Sequence, residues 1–262
     1  MPSQMISLIT VCKNSAPTIA RTIASVLSQR SDDITIEYIV IDGGSTDGTQ
    51  QIVQSYGKAI NYFKSELDNG IADAFNKGIT HVQGDIIGII NSDDMLLPEA
   101  IKKVRDYFDV HPGIEVLHGD MLLYDDNILV KRIRPARHWW YPWRIVFFNH
   151  PATFVRKVIY DRYGVFNPDY KYAMDVDLFA RWVKAGVKIA YTAIPLARMQ
   201  TGGMSSKYVY RGFQEKRKAF INNGFPSVLT YLHYISLFGV QLIVMIQQWL
   251  RRKNTKLRGT ST

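Results

Sequence analysis

The chain has 262 residues, of which 47% are hydrophobic, and it carries a formal net charge of +9. This length and apolar content predict one large folded domain and exclude general disorder, and the single Cys12 excludes an internal disulfide. The basic balance predicts an acidic partner, and composition leaves open whether that is nucleic acid, anionic lipid or a phosphorylated small molecule. The first apolar run, Ile6–Cys12, is short and lacks a preceding positive region, so we expect a protein that begins in the cytoplasm.

Apolar runs alternate with helical patterns through the first part of the chain. The strands are predicted at Ile6–Cys12, Ile36–Ile41, Ile60–Lys64 and Ile86–Ile90. The helices are predicted at Pro17–Ser28, Thr49–Tyr56, Ile71–His81 and Pro98–Val110. Strands that alternate with helices in this way predict a parallel sheet with right-handed crossovers.

The regular alternation ends near residue 113, where we place a topological boundary. Residues 134–157 are rich in aromatic and basic side chains without a helical or strand period. This composition is typical of a loop that shapes a pocket or meets a membrane interface, and it also fits plain packing of a long crossover. The other predicted elements are a hairpin of Glu115–Tyr124 and Ile128–Ile133, a helix at Asp175–Ala185, short strands at Ile189–Thr192 and Leu196–Gln200, and a basic helix at Ser205–Asn223.

The fourth predicted strand stops abruptly at Asn91-Ser92-Asp93-Asp94. In an open α/β sheet, ligands bind beyond the carboxyl ends of the strands, where a metal or a phosphate would meet these carboxylates. The loops after the first three strands, at residues 13–15, 42–48 and 66–70, are rich in Gly, Asn, Ser and Asp. Such residues allow close backbone approach and provide hard oxygen ligands for Mg²⁺ or Mn²⁺, although each loop alone is also an ordinary turn.

Seven short motifs follow one another in a fixed order over roughly residues 5 to 206. They are Val11–Asn14, Val40–Thr49, Glu66–Gly78, Asn91–Asp94, His150–Arg156, Met174–Phe179 and Gly202–Ser205. Taken in this order, they resemble the family 2 glycosyltransferases, which have the nucleotide-diphospho-sugar transferase (GT-A) fold. The resemblance implies an α/β fold with a mostly parallel central sheet flanked by helices.

The resemblance also implies a division of labour along the chain. Residues 1–113 would form the nucleotide-sugar-binding half and residues 114–224 the acceptor-binding, catalytic half of the same domain. Asp42 would accept a hydrogen bond from the pyrimidine base of the donor, and Arg198 would close over its diphosphate together with the Gly202–Ser205 turn. The predicted donor-binding residues are Asn14, Asp42, Asp68, Asp73, Asn91 and Arg198.

Asn91-Ser92-Asp93 stands where this family carries its Asp-x-Asp metal motif, so the resemblance makes Asp93 the ligand of a divalent Mn²⁺ or Mg²⁺ ion. Asn91 departs from that pattern and leaves fewer anionic ligands. Asp175 is the predicted catalytic base, which takes the proton of the acceptor hydroxyl. His150 and Asp177 are predicted to contact the acceptor or the sugar. An Asp at the start of a helix is also an ordinary N-cap.

Val228–Leu250 contains no Asp, Glu, Lys or Arg and is followed at once by Arg251-Arg252-Lys253. A polar stripe along this apolar stretch predicts an amphipathic helix in the membrane interface, although its length would also cross a bilayer. A packing helix of a homodimer is the other explanation. We therefore expect residues 225–262 to hold a peripheral or monotopic protein on anionic lipid, at the cytoplasmic face of the inner or plasma membrane.

The sequence as a whole predicts an inverting, metal-assisted glycosyltransferase of the hexosyltransferase type. It would move a sugar from a nucleoside diphosphate-sugar, with UDP-sugar favoured, to a hydroxyl of a lipid-linked or cell-surface glycan, and nucleic acid is not an expected partner. A sugar-phosphate nucleotidyltransferase would need a glycine-rich phosphate loop after the first strand, which residues 13–16 do not provide. A non-catalytic, membrane-associated scaffold that binds a nucleotide-sugar is the remaining alternative, and Asp93 and Asp175 argue against it.

Overall fold

The computed structural model describes residues 4–135, 148–202 and 208–228. Its strands are β1 (Ile6–Cys12), β2 (Ile36–Asp42), β3 (Tyr62–Ser65), β4 (Ile86–Ile89), β5 (Met95–Leu96), β6 (Val116–Asp125), β7 (Ile128–Ile133), β8 (Thr153–Arg156) and β9 (Ile189–Gln200). Its helices are α1 (Ile19–Leu27), α2 (Thr49–Ser55), α3 (Ile71–Thr80), α4 (Ala100–Val110), α5 (Lys157–Tyr163), α6 (Met174–Lys184) and α7 (Val209–Asn222).

The described strands form one mixed sheet in the order β3-β2-β1-β4-β8-β6-β9-β5, and β7 pairs with β6. The first four strands are parallel to one another, as the alternation of strands and helices predicts. In the second half, β8 runs antiparallel to both β4 and β6, whereas β9 runs parallel to β6. The sheet therefore crosses the boundary at residue 113 without a break.

The central strand β1 is buried along its whole length because helices cover both faces of the sheet. Its side chains alternate between the two faces, as a period of two requires. Ile6 and Leu8 belong to the core cluster that includes α1 and α4, whereas Ile9 and Val11 belong to the cluster that includes α3 and α6. A smaller apolar cluster joins α6 to α7 and contains Ala180 and Phe220.

The structure contains elements that the sequence pattern did not predict, namely β5, β8 and α5. The two short strands predicted at residues 189–192 and 196–200 are one strand, β9, whose register shifts against β6 near Asp120. No helix within the described ranges is long and apolar enough to cross a membrane. The predicted aromatic loop at residues 136–147, most of the Gly202–Ser205 turn and the predicted helix beyond residue 228 lie outside the described residues.

Candidate functional site

Hydrogen bonds between side chains and backbone join the loops that follow β1, β2 and β4. Asn14, which has a positive φ of 50°, accepts a bond from the Thr46 N–H at 2.9 Å and donates its own N–H to Ser45 Oγ at 2.7 Å. The hydroxyls of Ser15 and Ser92 lie 2.8 Å apart. The carboxyl ends of the parallel strands therefore carry one connected set of loops, as the sequence predicts.

Asp42, at the end of β2, is fully buried and uses both carboxylate oxygens inside the protein. Oδ2 accepts bonds from the Ser45 N–H at 2.9 Å and Ser65 Oγ at 2.6 Å, and Oδ1 accepts a bond from the Ser45 hydroxyl. Burial, together with the neighbouring Asp42 charge, raises the pKa of the Cys12 thiol, so Cys12 stays protonated. Asp42 organises the loop in this structure, and its contact with a base stays a prediction.

Asp68 lies against the glycine loop that follows β2, and only 8% of its side chain is exposed. It accepts a bond from the Gly70 N–H at 3.0 Å, and the Lys13 ammonium lies 3.9 Å away. A Cβ added at Gly43 would stand 2.0 Å from Asp68 Oδ2, which is far inside van der Waals contact. The glycine at position 43 is therefore what lets this carboxylate approach the loop.

Asp73 lies in the first turn of α3, where a carboxylate is favoured by the helix dipole. It accepts a bond from the Asn69 N–H at 3.0 Å and pairs with Lys77 at 3.3 Å. These partners, the Asn69 N–H first, lower the pKa of the Asp73 carboxyl. Asp73 is thus ionised at neutral pH and fixes the loop that carries Asp68.

The Asn91–Asp94 loop combines one half-buried carboxylate, Asp93, with one fully buried carboxylate, Asp94. Asn91 Nδ2 donates to Asp94 Oδ2 at 2.9 Å. Burial first, and then the neighbouring Asp93 charge, raises the pKa of Asp94 to about 8. This arrangement gives Asp94 a structural place in the loop and leaves Asp93 as the accessible acid.

The residues of this loop fit a divalent ion whose remaining ligands come from phosphate oxygens. Among the described residues, no group of three or more His, Cys, Asp and Glu side chains is placed to hold a metal alone. Asp93 offers a carboxylate, and the buried Asn91 Oδ1 has no hydrogen-bond partner in the described part of the chain. Mg²⁺ sites commonly use one or two carboxylates and take the other ligands from substrate phosphates and water.

Polar side chains on α1 and just beyond its end hold the chain that follows β4, and the sequence pattern does not predict them. Thr22, Ser25 and Gln29 are buried although polar, and they recur at about helical spacing on the face that packs against this loop. Their bonds to the loop are Thr22 Oγ1 to Asp94 O at 2.7 Å, Leu96 N to Ser25 Oγ at 3.1 Å, Gln29 Nε2 to Leu97 O at 3.1 Å and Ile101 N to Gln29 Oε1 at 3.2 Å.

Asp175 and His150 lie close enough for the charge of one to act on the other. Asp175 is half-buried in the first turn of α6, where its Oδ1 accepts a bond from the Val176 N–H at 2.8 Å. The His150 ring packs against Phe75 and Phe166, with centroids 5.2 and 5.9 Å away. Burial lowers the pKa of His150, and the Asp175 charge opposes that shift. The turn that contains His150 also contacts β4.

Asp177, two residues further along α6, is used inside the protein. It pairs with Arg181 at 3.2 Å and accepts a bond from Asn223 Nδ2 at 2.9 Å, and only 6% of its side chain is exposed. The predicted contact of Asp177 with an acceptor stays a prediction. The residue that instead stabilises the start of α6 is Glu215 of α7, which accepts bonds from the Tyr172 and Ala173 N–H groups at 2.6 and 3.1 Å.

Arg198 lies on β9, and its guanidinium is turned toward the β6–β7 hairpin. It stacks on the Tyr124 ring at 4.0 Å and donates to the Asp126 carbonyl and to Asn127 Oδ1. The guanidinium therefore holds the hairpin turn in this structure. Its predicted contact with a diphosphate stays a prediction.

Two solved structures with similar folds contain a bound nucleotide-sugar. A structure of S. aureus TarS in complex with UDP-GlcNAc matches with a TM-score of 0.69 at 21% identity, over 86% of this chain and 69% of that one. A mannosyltransferase from Pyrobaculum calidifontis in complex with GDP-Man and Mn²⁺ matches with a TM-score of 0.63 at 18% identity, over 83% and 63%. The mixed sheet flanked by helices and these likenesses confirm the predicted GT-A fold.

Proteins that are similar to this chain in sequence are named glycosyltransferases. An uncharacterised glycosyltransferase of Mycobacterium tuberculosis is 28% identical over 180 residues, which cover 67% of this chain and 68% of the relative. A glycosyltransferase of PGL/p-HBAD biosynthesis in Mycobacterium bovis is 22% identical over 97% of this chain and all of the relative. The family model for glycosyl transferase family 2 matches residues 7–167. The chain therefore belongs to glycosyl transferase family 2.

Proposed function

We propose that this protein is an inverting, metal-assisted glycosyltransferase that uses a nucleoside diphosphate-sugar and modifies a hydroxyl of a lipid-linked or cell-surface glycan. The observation that carries the proposal is that two acidic residues lie on segments next to β4. Asp93 stands at the carboxyl end of this strand, and the turn that contacts β4 carries His150 beside Asp175.

The donor is proposed to be a UDP-sugar. Asp68 and Asp73 would hold the nucleoside, on loops that Asp42 and Asn14 organise. TarS, one of the similar structures, was solved with UDP-GlcNAc, whereas the Pyrobaculum mannosyltransferase was solved with GDP-Man. The close approach of Asp68 to Gly43 supports a donor-binding loop that is held against the loop after β2.

Asp93 and Asn91 would hold the divalent ion. When bound, Mn²⁺ or Mg²⁺ supplies positive charge that stabilises the diphosphate as a leaving group. The acceptor oxygen forms a bond to the anomeric carbon from the opposite face while the bond from that carbon to the diphosphate breaks. The Asp175 carboxylate accepts the proton of the acceptor hydroxyl, and the neutral His150 beside it orients the sugar or the acceptor.

The proposed location is the cytoplasmic membrane face, with the protein peripheral or monotopic. Two features of the sequence support it: the net charge of +9, and the uncharged stretch from Val228 to Leu250 that basic residues follow. A homodimer is a further proposal for the same stretch.

The test of the proposed reaction is release of nucleoside diphosphate from a panel of nucleotide sugars, with Mn²⁺ or Mg²⁺ and membranes that contain lipid-linked acceptors. We expect turnover with one donor, and a rate lower by about 10²- to 10⁴-fold for Asp175→Asn, because the amide cannot accept the proton. Asp161→Asn is the matched control, since Asp161 is exposed and pairs only with Lys157 among the described residues. This control is expected to keep the wild-type rate.

Two results would contradict the proposal. Full activity of the Asp175→Asn variant would remove Asp175 from the role of base. Release of pyrophosphate from a nucleoside triphosphate and a sugar phosphate, without transfer from any nucleotide sugar, would favour a nucleotidyltransferase.

A further inference from the structure

The start of helix α6, which carries Asp175, is not capped by its own N-cap residue. That residue is Ala173, which has no side-chain oxygen to accept a bond from the N–H groups of the first turn. Asp175 itself accepts a bond from the N–H of Val176, the next residue along the chain. A contact from elsewhere in the protein is therefore needed to hold this turn in place.

Glu215 of α7 supplies that contact from a position 42 residues beyond Ala173. Its Oε2 atom accepts bonds from the Tyr172 N–H at 2.6 Å and from the Ala173 N–H at 3.1 Å. Both N–H groups lie immediately before Met174, the first residue of α6. A carboxylate at this end of a helix is also favoured by the helix dipole. Glu215 therefore takes the part of an N-cap side chain for α6.

Further contacts from α7 hold the same turn. At the end of α7, Asn223 Nδ2 donates to Asp177 Oδ1 at 2.9 Å. Between this bond and those of Glu215, an apolar cluster joins the two helices through Ala173, Val176 and Phe220. Helix α7 thus contacts the start of α6 through polar groups before and after the predicted base and through apolar groups between them.

The position of this turn decides what Asp175 can reach. Ala173 and Val176 are buried in the cluster, whereas Asp175 between them is half-buried and its charge acts on the buried His150. A general base has to lie within hydrogen-bond reach of the proton that it accepts. A small displacement of a reacting group, caused by a change away from the chemistry, can lower a rate by about 100-fold.

We propose that Glu215 is a positioning residue for sugar transfer, and that its two bonds to the backbone before α6 keep Asp175 within reach of the acceptor hydroxyl. The inference rests on the proposed function, because it needs Asp175 to act as the base. Glu215 acts through the backbone at the helix start and takes no proton itself.

The test compares Glu215→Ala, which removes both bonds, with Glu215→Gln, whose amide oxygen can still accept them. Glu115→Ala is the matched control, because Glu115 also accepts a bond from a backbone N–H, that of Lys188 at 2.9 Å, near the amino ends of β6 and β9. Two measurements are made on each variant. One is kcat and KM with the UDP-sugar that the donor panel identifies, and the other is hydrogen exchange of the amides of residues 172–177 in the protein without ligands.

We expect Glu215→Ala to lower kcat by about 10- to 100-fold and to leave the KM for the donor unchanged, because the donor-binding loops follow other strands. Residues 172–177 are expected to exchange faster in this variant. Glu215→Gln is expected to keep most of the wild-type kcat, and Glu115→Ala to keep all of it. In the Asp175→Asn background, Glu215→Ala is expected to cause little further loss, because residues that act as a unit are not additive.

Three results would overturn the inference. A wild-type kcat in Glu215→Ala, when Asp175→Asn is slow, would overturn it and leave the proposed function standing. An equal loss from Glu215→Ala with and without Asp175→Asn would show that the contact acts on the fold as a whole and not on the base. Full activity of Asp175→Asn would remove the proposed base, and this inference with it.

Discussion

Gly43 is the single residue on which the position of Asp68 depends. Its Cα faces the carboxylate so closely that a methyl group at this position would stand 2.0 Å from Oδ2 and 3.0 Å from Cγ. A side chain in that space has to push Asp68 away from the loop or move the loop itself. Steric contact, and not an unusual backbone angle, is thus the reason for glycine here.

We expect Gly43→Ala to weaken donor binding by about tenfold or more, because overpacking of this kind costs about 1–3 kcal/mol. The measurement is the KM for the nucleotide sugar, together with donor affinity by calorimetry. Gly113→Ala is the matched control, since a Cβ there meets nothing within 4 Å. An unchanged donor affinity in Gly43→Ala would show that Asp68 does not need its present position.

Individual residues of the site were predicted from their motifs, but their partners were not. The motif at residues 91–94 predicts Asp93 as the metal ligand, but it does not indicate that Asp94 beside it is fully buried and accepts a hydrogen bond from Asn91. Likewise, nothing local to Asp177 indicates that Asn223, 46 residues away, donates a hydrogen bond to it. Contacts between residues distant in the chain decide which carboxylates remain available to a ligand.

At the scale of the element, helix α1 acts on the metal loop through backbone atoms. The Thr22 hydroxyl donates to the Asp94 carbonyl, which is one residue beyond Asp93, and both groups are buried. An apolar residue at position 22 would leave that carbonyl without a partner, which costs about 1–3 kcal/mol. The loop can recover part of this cost only by moving.

We therefore expect Thr22→Val to lower the unfolding free energy by about 1–3 kcal/mol and to raise the Mn²⁺ concentration needed for half-maximal activity. Thr22→Ser, which keeps the donor, is expected to restore both values. Thr80→Val is the control, because the Thr80 hydroxyl donates to Lys77 O at an exposed position on α3. A Thr22→Val variant with unchanged metal dependence would limit α1 to a role in stability.

Most elements with their own periodicity were predicted to within about two residues, although the predicted basic helix at Ser205–Asn223 begins only at Val209. Elements defined by distant pairing were missed. Helix α3 and strands β1 and β7 follow the predicted bounds closely because their patterns are local. Strand β5 has two residues and exists through its pairing with β9, and β8 is a four-residue strand that follows an aperiodic stretch. Strand β9 contains Pro195, and the structure accommodates it with a register shift against β6, so one strand spans the two predicted ones.

At the scale of the whole molecule, His150 links folding to pH. Burial among aromatic rings lowers the pKa of His150 in the folded protein, whereas in the unfolded chain this pKa is about 6.5. At a pH between these two pKa values, the unfolded chain therefore binds more protons than the folded protein. The effect of His150 on the free energy of unfolding is absent at neutral pH. As the pH falls between its two pKa values, this residue destabilises the protein progressively. The opposing charge of Asp175 reduces the effect without changing its sign.

Between about pH 7.5 and about pH 5.5, the buried Asp94 carboxyl contributes stability that increases as the pH falls, because its pKa is raised to about 8. Wild type and His150→Phe share this contribution, so we expect the melting temperature of His150→Phe, which fills the aromatic site without titrating, to rise relative to that of wild type as the pH falls. The measurement is thermal unfolding across that range. His111→Phe is the comparison, because His111 is exposed beyond the end of α4 and packs only on Tyr107 among the described residues. Parallel pH profiles for wild type and His150→Phe would contradict this assignment.

The alternation of strands and helices predicts the parallel first half of the sheet, but it does not predict the mixed second half. Because β8 lies between β4 and β6, it connects the strands of the two halves laterally. A chain severed between residues 135 and 148 would leave β8 hydrogen bonded to β4 and β6, both of which would belong to the other fragment. Strand pairing therefore holds the two halves of the sheet together in addition to the backbone link.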